Sequence, residues 1–496
     1  MRRSAGILLP LSALPNTFPI GDVGPGARLF IDWLARAGQT WWQVLPLLPP
    51  DTFGSPYASR SSMAMSPTYV SPEDLAADGF IEQSDVPRPI PSTQHQTDYA
   101  AATALKRQLL DLAFVRFTRS PDPALVREFH GFQSFNAHWL DAFTTFTVLR
   151  ESYGEQPWWQ WPAALRARDV EVIAQVREER RGLIQRVAFG QWIAFRQWHA
   201  LRSYAHDHGV RFIGDVPFFV TRNSADVWWR QDQFLLDAEG NPTIVAGVPP
   251  DAFSEIGQLW GNPHYDWDAQ RRDTFTWWRR RFHHAASVYD ALRLDHFRGY
   301  ESLWAIPAAE HDARRGQWVA TPGDELLSVI VDAAGSTGLI AEDLGVITDA
   351  VLALRDRFKL PGSRVIQFGF GDDLRNPSLP HNAPERSVVY TSTHDTPTLR
   401  SWIEEADAAS RDRALAYGRC TAESFAWRMV EQGMRSPAAT CIATVQDLLN
   451  LGGTSRFNTP NTHDGNWIWR MDAHPLTPAL AERLRTLTKI THRTSA

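Results

Sequence analysis

Eight short, nearly continuous apolar runs punctuate this chain of 496 residues, and stretches with helical periodicity separate them. The runs lie at 6–14, 40–48, 210–220, 289–297, 338–344, 364–370, 387–393 and 440–447. A strand with one face in water alternates apolar and polar side chains. A strand that is apolar throughout is buried on both faces, as in a parallel sheet covered by helices. The intervening helices are amphipathic. At 26–37, Phe30, Trp33, Leu34 and Ala37 share one face and Gly38 stops the helix. After the fifth run, Val351, Leu354 and Phe358 repeat at helical spacing until Pro361-Gly362. Eight such strands predict an α/β fold, a closed (β/α)8 TIM barrel, rather than an open doubly wound sheet.

The alternation fails once, between the second and third strands, where residues 50–185 carry helical segments of their own around 104–117 and 139–151. The expected organisation is therefore a barrel built from 1–49 and 186–496, with a mostly helical insertion subdomain at 50–185. Gly21 to Gly26 is glycine-rich, but it lacks the G-x-G-x-x-G spacing and has Pro25 where a phosphate loop needs an N–H. A turn into a helix is the simpler reading, and no nucleotide cofactor is expected.

Charge narrows the partners. The 50 basic and 56 acidic residues are spread without blocks and leave a net charge of −6, so no basic stripe exists for nucleic acid. Only two cysteines occur, Cys420 and Cys441, which suits a reducing compartment better than a disulfide framework. The apolar start is broken by Pro10, Ser12 and Pro15, unlike a signal peptide, and no run approaches the ~20 residues of a membrane span. A cytoplasmic protein is expected. Tryptophan is frequent, at 21 residues. Most should fill helix–barrel seams, but indoles also stack on the C–H faces of sugars.

In such barrels the active site forms at the C-terminal ends of the strands. Four of the predicted strands end in acids: Asp215 on the third, Asp295 on the fourth, Glu342 and Asp343 on the fifth, and Asp395 on the seventh. One of these alone would pass for a helix cap or an ion pair; four at the same rim would not. Adjacent strands lie about 4.8 Å apart. Carboxylates on the fourth and fifth strands can thus face each other at roughly the 5–5.5 Å used by retaining glycosidases. Asp295 and Glu342 are the candidates for nucleophile and general acid/base. Arg293, two residues before Asp295, shares its face and favours the ionised nucleophile. Asp215 either orients that Arg as a buried pair or touches substrate directly.

The chain also resembles the 4-alpha-glucanotransferase (amylomaltase, or disproportionating enzyme) family of the alpha-amylase clan over nearly its whole length. The resemblance rests on Trp-Gln-Val-Leu-Pro-Leu (42–47), Gly-Ser-Pro-Tyr (54–57) and Gly-Asp-Val-Pro-Phe-Phe-Val (214–220). It continues in Gly-Gln-Leu-Trp-Gly-Asn-Pro (257–263), Arg-Leu-Asp-His-Phe-Arg-Gly (293–299) and Ala-Glu-Asp-Leu-Gly-Val-Ile-Thr (341–348). Tyr-Thr-Ser-Thr-His-Asp-Thr (390–396) and Gly-Asn-Trp-Ile-Trp-Arg (465–470) complete it. It implies Asp295 as nucleophile, Glu342 as acid/base and Asp395 as the third carboxylate, which distorts the bound sugar. It also implies Tyr57, Trp260, Arg293, His394, Asp372 and Asn458 as substrate-site residues. The implied partners are maltooligosaccharides, amylose or glycogen-type glucans, with no metal, nucleic acid or membrane. The chain departs from the family's usual pattern at 58–67, 396–397 and 456–461, yet every catalytic carboxylate is kept.

Two other readings compete: an alpha-amylase-type hydrolase on the same barrel, and a non-catalytic glucan-binding protein. The second would be expected to have lost one of the three acids. The first differs in whether water or a sugar hydroxyl attacks, so a water-excluding lid discriminates. The loop 247–263 is the candidate lid. Gly247, Pro249, Pro250, Gly257, Gly261 and Pro263 alternate hinges with stiff segments, and Phe253, Leu259 and Trp260 lie between them.

Overall fold

A computed structural model describes residues 3–88, 96–250, 254–462, 464–473 and 475–494. Its strands, in chain order, are β1 (Ser4–Leu8), β2 (Trp41–Gln43), β3 (Arg211–Val216), β4 (Ile244–Val248), β5 (Gln258–Pro263) and β6 (Ala291–Leu294). They continue as β7 (Ser302–Pro307), β8 (Gln317–Ala320), β9 (Gly338–Ala341), β10 (Gly362–Val365), β11 (Ser387–Tyr390) and β12 (Thr440–Thr444). β1, β2, β3, β6, β9, β10, β11 and β12 form a closed barrel in sequence order, each strand pairing parallel with its neighbours. The expected eight-stranded barrel is therefore present. Its strands are shorter than the apolar runs, because the chain leaves the ladder early and buries the rest of each run in rim turns such as Phe297–Tyr300 and Ile366–Gly369.

The seam between the first and last strands is closed by a buried side chain near the C-terminus. The Arg493 guanidinium donates to the carbonyls of Ser4, Met434, Ser436, Ala438 and Ala439. These acceptors include the end of the helix Phe425–Arg435, whose dipole favours a cation.

Between β2 and β3 lie the helices Tyr99–Arg119, Pro123–Ser152, Val170–Glu179 and Arg181–Asp207. Their apolar faces do not enclose a separate core. Leu109, Phe129, Trp139 and Phe146 belong to the same buried cluster as the barrel residues Ile7, Trp42 and Phe212. Trp158, Trp192, Trp198, Trp228, Trp277 and Trp278 fill the seams, as the abundance of indoles suggested.

One polar tie anchors this region. Lys106 Nζ lies 2.6 Å from Asp22 Oδ2 and 2.6 Å from the Val70 carbonyl, and both ionic side chains are about 1% exposed. Lys106→Met strands the Asp22 carboxylate in the interior and should destabilise the fold by about 3–5 kcal/mol in denaturant unfolding. A loss below ~1 kcal/mol would show that Asp22 finds another partner.

The remaining strands form a four-stranded sheet in the order β5-β4-β7-β8. The predicted loop 247–263 thus belongs largely to an antiparallel pair, with Gly247 opposite Leu259 and Val248 opposite Gln258. Its Gly and Pro content hid the strands from a periodicity reading. Val245, Ile306, Ala313 and Trp304 pack a small core of their own on this sheet. Phe253 lies outside the described residues. Among the described residues no helix is long and apolar enough to cross a membrane.

Candidate active site

The site begins with register. β3 and β6 pair Asp215 with Arg293, and β6 and β9 pair Leu294 with Ala341. One residue further, the ladder continues: Asp295 N–H donates to the Val216 carbonyl (3.2 Å) and Glu342 N–H to that of Leu294 (3.1 Å). Asp295 and Glu342 therefore stand side by side on neighbouring strand ends.

Arg293 organises the acids around it. Its Nη1 donates to Asp215 Oδ1 (2.8 Å), Asp215 Oδ2 (2.7 Å) and Asp295 Oδ1 (2.8 Å), while Nη2 lies 4.0 Å from Glu342 Oε2. Side-chain exposure grades from 0% at Asp215 and 6% at Arg293 to 13% at Glu342, 25% at Asp295 and 44% at Asp395. The grading separates a buried base from three reachable carboxylates. Asp215 offers no free surface to a ligand and acts on Arg293 and Tyr57.

The far wall comes from the β11 loop and two neighbouring segments. Tyr57 Oη donates to Asp215 Oδ2 (2.9 Å) and lies 2.8 Å from His394 Nε2. With the tyrosine proton committed to Asp215, His394 Nε2–H is the donor, shared between Tyr57 and Asp395 Oδ2 at 3.2 Å. The Tyr57 ring stacks on His394 at 5.3 Å, and Trp467 flanks both rings. Asn458 Nδ2 donates to Asp395 Oδ1 (2.6 Å), and Arg456 holds the Asp395 carbonyl (2.6 Å).

These surroundings push the acids in opposite directions. Burial and the neighbouring Asp295 charge hold the Glu342 carboxyl well above the usual range, although Arg293 and an N–H bond from His296 oppose them. Burial would also raise Asp395, but His394, Asn458 and Arg293 overcome it and hold that carboxylate well below the usual range. Arg293 is buried too, yet Asp215, Asp295 and Glu342 keep it firmly charged. The arrangement thus presents one carboxyl that retains its proton beside carboxylates bound by cationic or amide donors. A separation of acid and base of this kind is what two-carboxylate glycosyl chemistry needs. Among the described residues no group of three or more His, Cys, Asp or Glu side chains is arranged to hold a metal ion.

A family profile for 4-alpha-glucanotransferase matches residues 9–477. The chain belongs to the 4-alpha-glucanotransferase family. It is 42% identical to the 4-alpha-glucanotransferase of Thermus thermophilus over 99% of both chains. It is 39% identical to the chloroplastic/amyloplastic enzyme of Solanum tuberosum, over 95% of this chain and 82% of that one. The amylomaltase of Streptococcus agalactiae, solved in complex with acarbose, superposes with a TM-score of 0.95 at 32% identity, covering all of both chains. The chain's activity is that of a 4-alpha-glucanotransferase, and the hydrolase alternative is not favoured.

Within this 4-alpha-glucanotransferase, Trp260 sits on β5 with its ring centre 5.0 Å from that of His296 and 6.1 Å from that of Phe219. The indole is 38% exposed, on the side of the site that carries Asp295 and Glu342. Asp372 stands apart from the cluster. Its carboxylate is almost fully exposed and pairs with Arg413 at 3.0 Å. Asp343, the second acid ending β9, is structural: it accepts from Arg364 and Arg355 and from Ser363 N–H, 2.7 Å away. The segment 58–67 turns inward, with Ser62 bound to Asp226 and Met65 to Gln191. Sequence reasoning missed Arg456, Trp467 and His296. His296 follows Asp295 directly, but its N–H bond to Glu342 and its ring contact with Trp260 are invisible in the sequence.

Proposed function

We propose that this 4-alpha-glucanotransferase works by retaining double displacement on maltooligosaccharides, amylose and glycogen-type α-glucans. In the first step Glu342 protonates the departing glycosidic oxygen while Asp295 attacks the anomeric carbon, giving a glycosyl-enzyme. In the second, Glu342 takes the proton from the 4-OH of an acceptor glucose, which displaces Asp295. Asp395 accepts from sugar hydroxyls and favours the oxocarbenium-like transition state; Tyr57, His394 and Asn458 fix its direction, and Arg293, held by Asp215, orients the Asp295 carboxylate. The observation that carries the reading is the adjacent Asp295–Glu342 pair, in which the cation binds Asp295 directly while burial and the Asp295 charge push the Glu342 carboxyl well above the usual range. The acarbose complex of the related amylomaltase supports an α-glucan substrate.

We read 1–49 and 186–496 as the catalytic unit and 50–185 as an insertion. That insertion shares the barrel's core, and its first turn delivers Tyr57. Cys420 and Cys441, both free thiols, suit a reducing cytoplasm.

Transfer must outcompete abundant water, which requires an acceptor held in place. The half-exposed Trp260 supplies a flat platform beside the scissile bond, on the acceptor side. Maltotriose alone should give glucose plus a ladder of longer oligosaccharides, separated by length. Maltose and glucose with nothing longer than the substrate would overturn the transfer reading. In the same assay Trp260→Ala should lose roughly 10–100-fold in transfer, the worth of one ring stack, and less in hydrolysis. An unchanged hydrolysis-to-transfer ratio would make Trp260 merely an anchor for β5.

A further inference from the structure

We propose that His296 is a positioning residue that couples the sugar platform Trp260 to the carboxyl of Glu342. The proposal rests on the reading of Glu342 as the acid/base and deepens it. His296 adopts a left-handed backbone, φ 49° and ψ 54°, immediately after the last ladder bond of β6. Non-glycine residues adopt this conformation infrequently, His less rarely than most, and its place directly after a nucleophile calls for a reason.

The reason lies in where the backbone points. His296 N–H donates to Glu342 Oε2 at 2.8 Å, and Phe297 N–H donates to the Glu342 carbonyl at 3.1 Å. Two successive N–H groups thus hold one residue at two points, the first its carboxyl and the second its backbone carbonyl. The left-handed turn at 296 aims the next peptide, and an extended residue there would swing the Phe297 N–H away from the Glu342 carbonyl and free the backbone that seats the carboxyl. With Oε2 engaged as acceptor, Oε1 is left to carry the proton that passes to the leaving oxygen.

The side chain does a second task. The imidazole edge meets the Trp260 ring at 5.0 Å and 82°, and lies 6.4 Å from Phe219. Gly299 makes room for it, since a Cβ there would come within 2.9 Å of the imidazole Cδ2. Burial pushes His296 down to about 4 despite the Asp295 charge, so the ring stays neutral while the enzyme works and serves as a spacer between the platform and the acid. One residue therefore fixes both the acceptor surface and the proton donor. A glucose ring seated on Trp260 presses on the same residue that aims Glu342.

Two variants separate the two tasks. His296→Asn tolerates the left-handed backbone and keeps the N–H but removes the ring. His296→Val disfavours that backbone and loosens the Phe297 N–H bond to the Glu342 carbonyl. The Glu342 carboxyl is faced by Arg293, Asp295 and Asp343 besides the His296 N–H, and these are unchanged in both variants. With maltotriose, His296→Asn should raise the hydrolysis-to-transfer ratio about 2- to 10-fold, the worth of one aromatic pair, while the alkaline limb of kcat/KM stays in place. In His296→Val the Glu342 backbone is no longer fixed by Phe297, its carboxyl sits less firmly on the His296 N–H that favours the ionised form, and the alkaline limb should move up by about one pH unit. Its kcat should fall roughly tenfold on maltotriose, but little on α-glucosyl fluoride, which needs no proton. Should the Val protein not fold, His296→Ala should give the same changes in smaller measure. A wild-type product ratio in the Asn variant, or equal losses on both donors with an unmoved limb in the Val or Ala variant, would overturn the proposal. Failure of the acid/base reading itself would show separately, as Glu342→Gln gaining nothing from the fluoride donor.

Discussion

Asp295→Asn should abolish turnover, by ~10⁴-fold or more, with maltotriose and with α-glucosyl fluoride alike. The substitution keeps the size of the side chain and leaves an amide oxygen for Arg293 Nη1, which now sits 2.8 Å from Asp295 Oδ1. Asp215 still neutralises the guanidinium through both of its oxygens, at 2.7 and 2.8 Å, so no unpaired charge is left buried. The fold should therefore survive, and unfolding in denaturant should match the wild type within about 1 kcal/mol. What disappears is the nucleophile, and no better leaving group can compensate for that. Recovery of the variant on the fluoride donor would mean that Asp295 is not the attacking group. A large loss of stability would mean that the carboxylate mainly holds Arg293.

The barrel was legible because burial on both faces leaves a mark in each strand. The run 387–393 centres on consecutive apolar side chains, Val388, Val389 and Tyr390, and the structure places β11 within that run. The acids were legible for a related reason: a carboxylate ending a buried strand has nowhere to point but the rim. Arg293 was found through the period of two, and its bond to Asp295 follows from that spacing. The four-stranded sheet was not legible. Its strands are short and half-exposed, and they carry Gly247, Gly261 and Pro263, so they read as the loop around Trp260. The family resemblance brought in Asp372 and Asn458 together, yet only Asn458 reaches the cluster; Asp372 sits beyond the turn Ile366–Gly369, facing Arg413. The role of His296 depends on a left-handed turn and a ring contact with Trp260, and no composition or spacing encodes either.

Glu342→Gln should separate the two steps that Asp295→Asn removes together. On maltotriose the variant should fall by roughly 10²–10⁴-fold, the usual contribution of a general acid. The leaving 4-oxygen of a glucan is a poor leaving group without a proton, whereas fluoride departs unaided. Glycosylation by α-glucosyl fluoride should accordingly persist, seen as a burst of fluoride and, with the second step starved of its base, accumulation of glycosyl-enzyme. The amide can still accept from His296 N–H, as Oε2 does now at 2.8 Å, so the local backbone should hold. The pH dependence follows from the direction in which the site moves this group. Burial and Asp295 raise the Glu342 carboxyl well above its ordinary value, so it stays protonated into the range where an exposed glutamate has already ionised. In the wild type, kcat/KM for maltotriose should therefore hold through mildly acidic pH and fall as pH rises through the shifted value, where the acid is lost. In Glu342→Gln assayed with the fluoride donor, that alkaline limb should vanish, because the titrating group is gone and the step no longer needs it. A limb that persists unchanged in the variant would assign the titration to another group. Identical responses of Asp295→Asn and Glu342→Gln to the fluoride donor would mean that the two roles have been assigned to the wrong carboxylates.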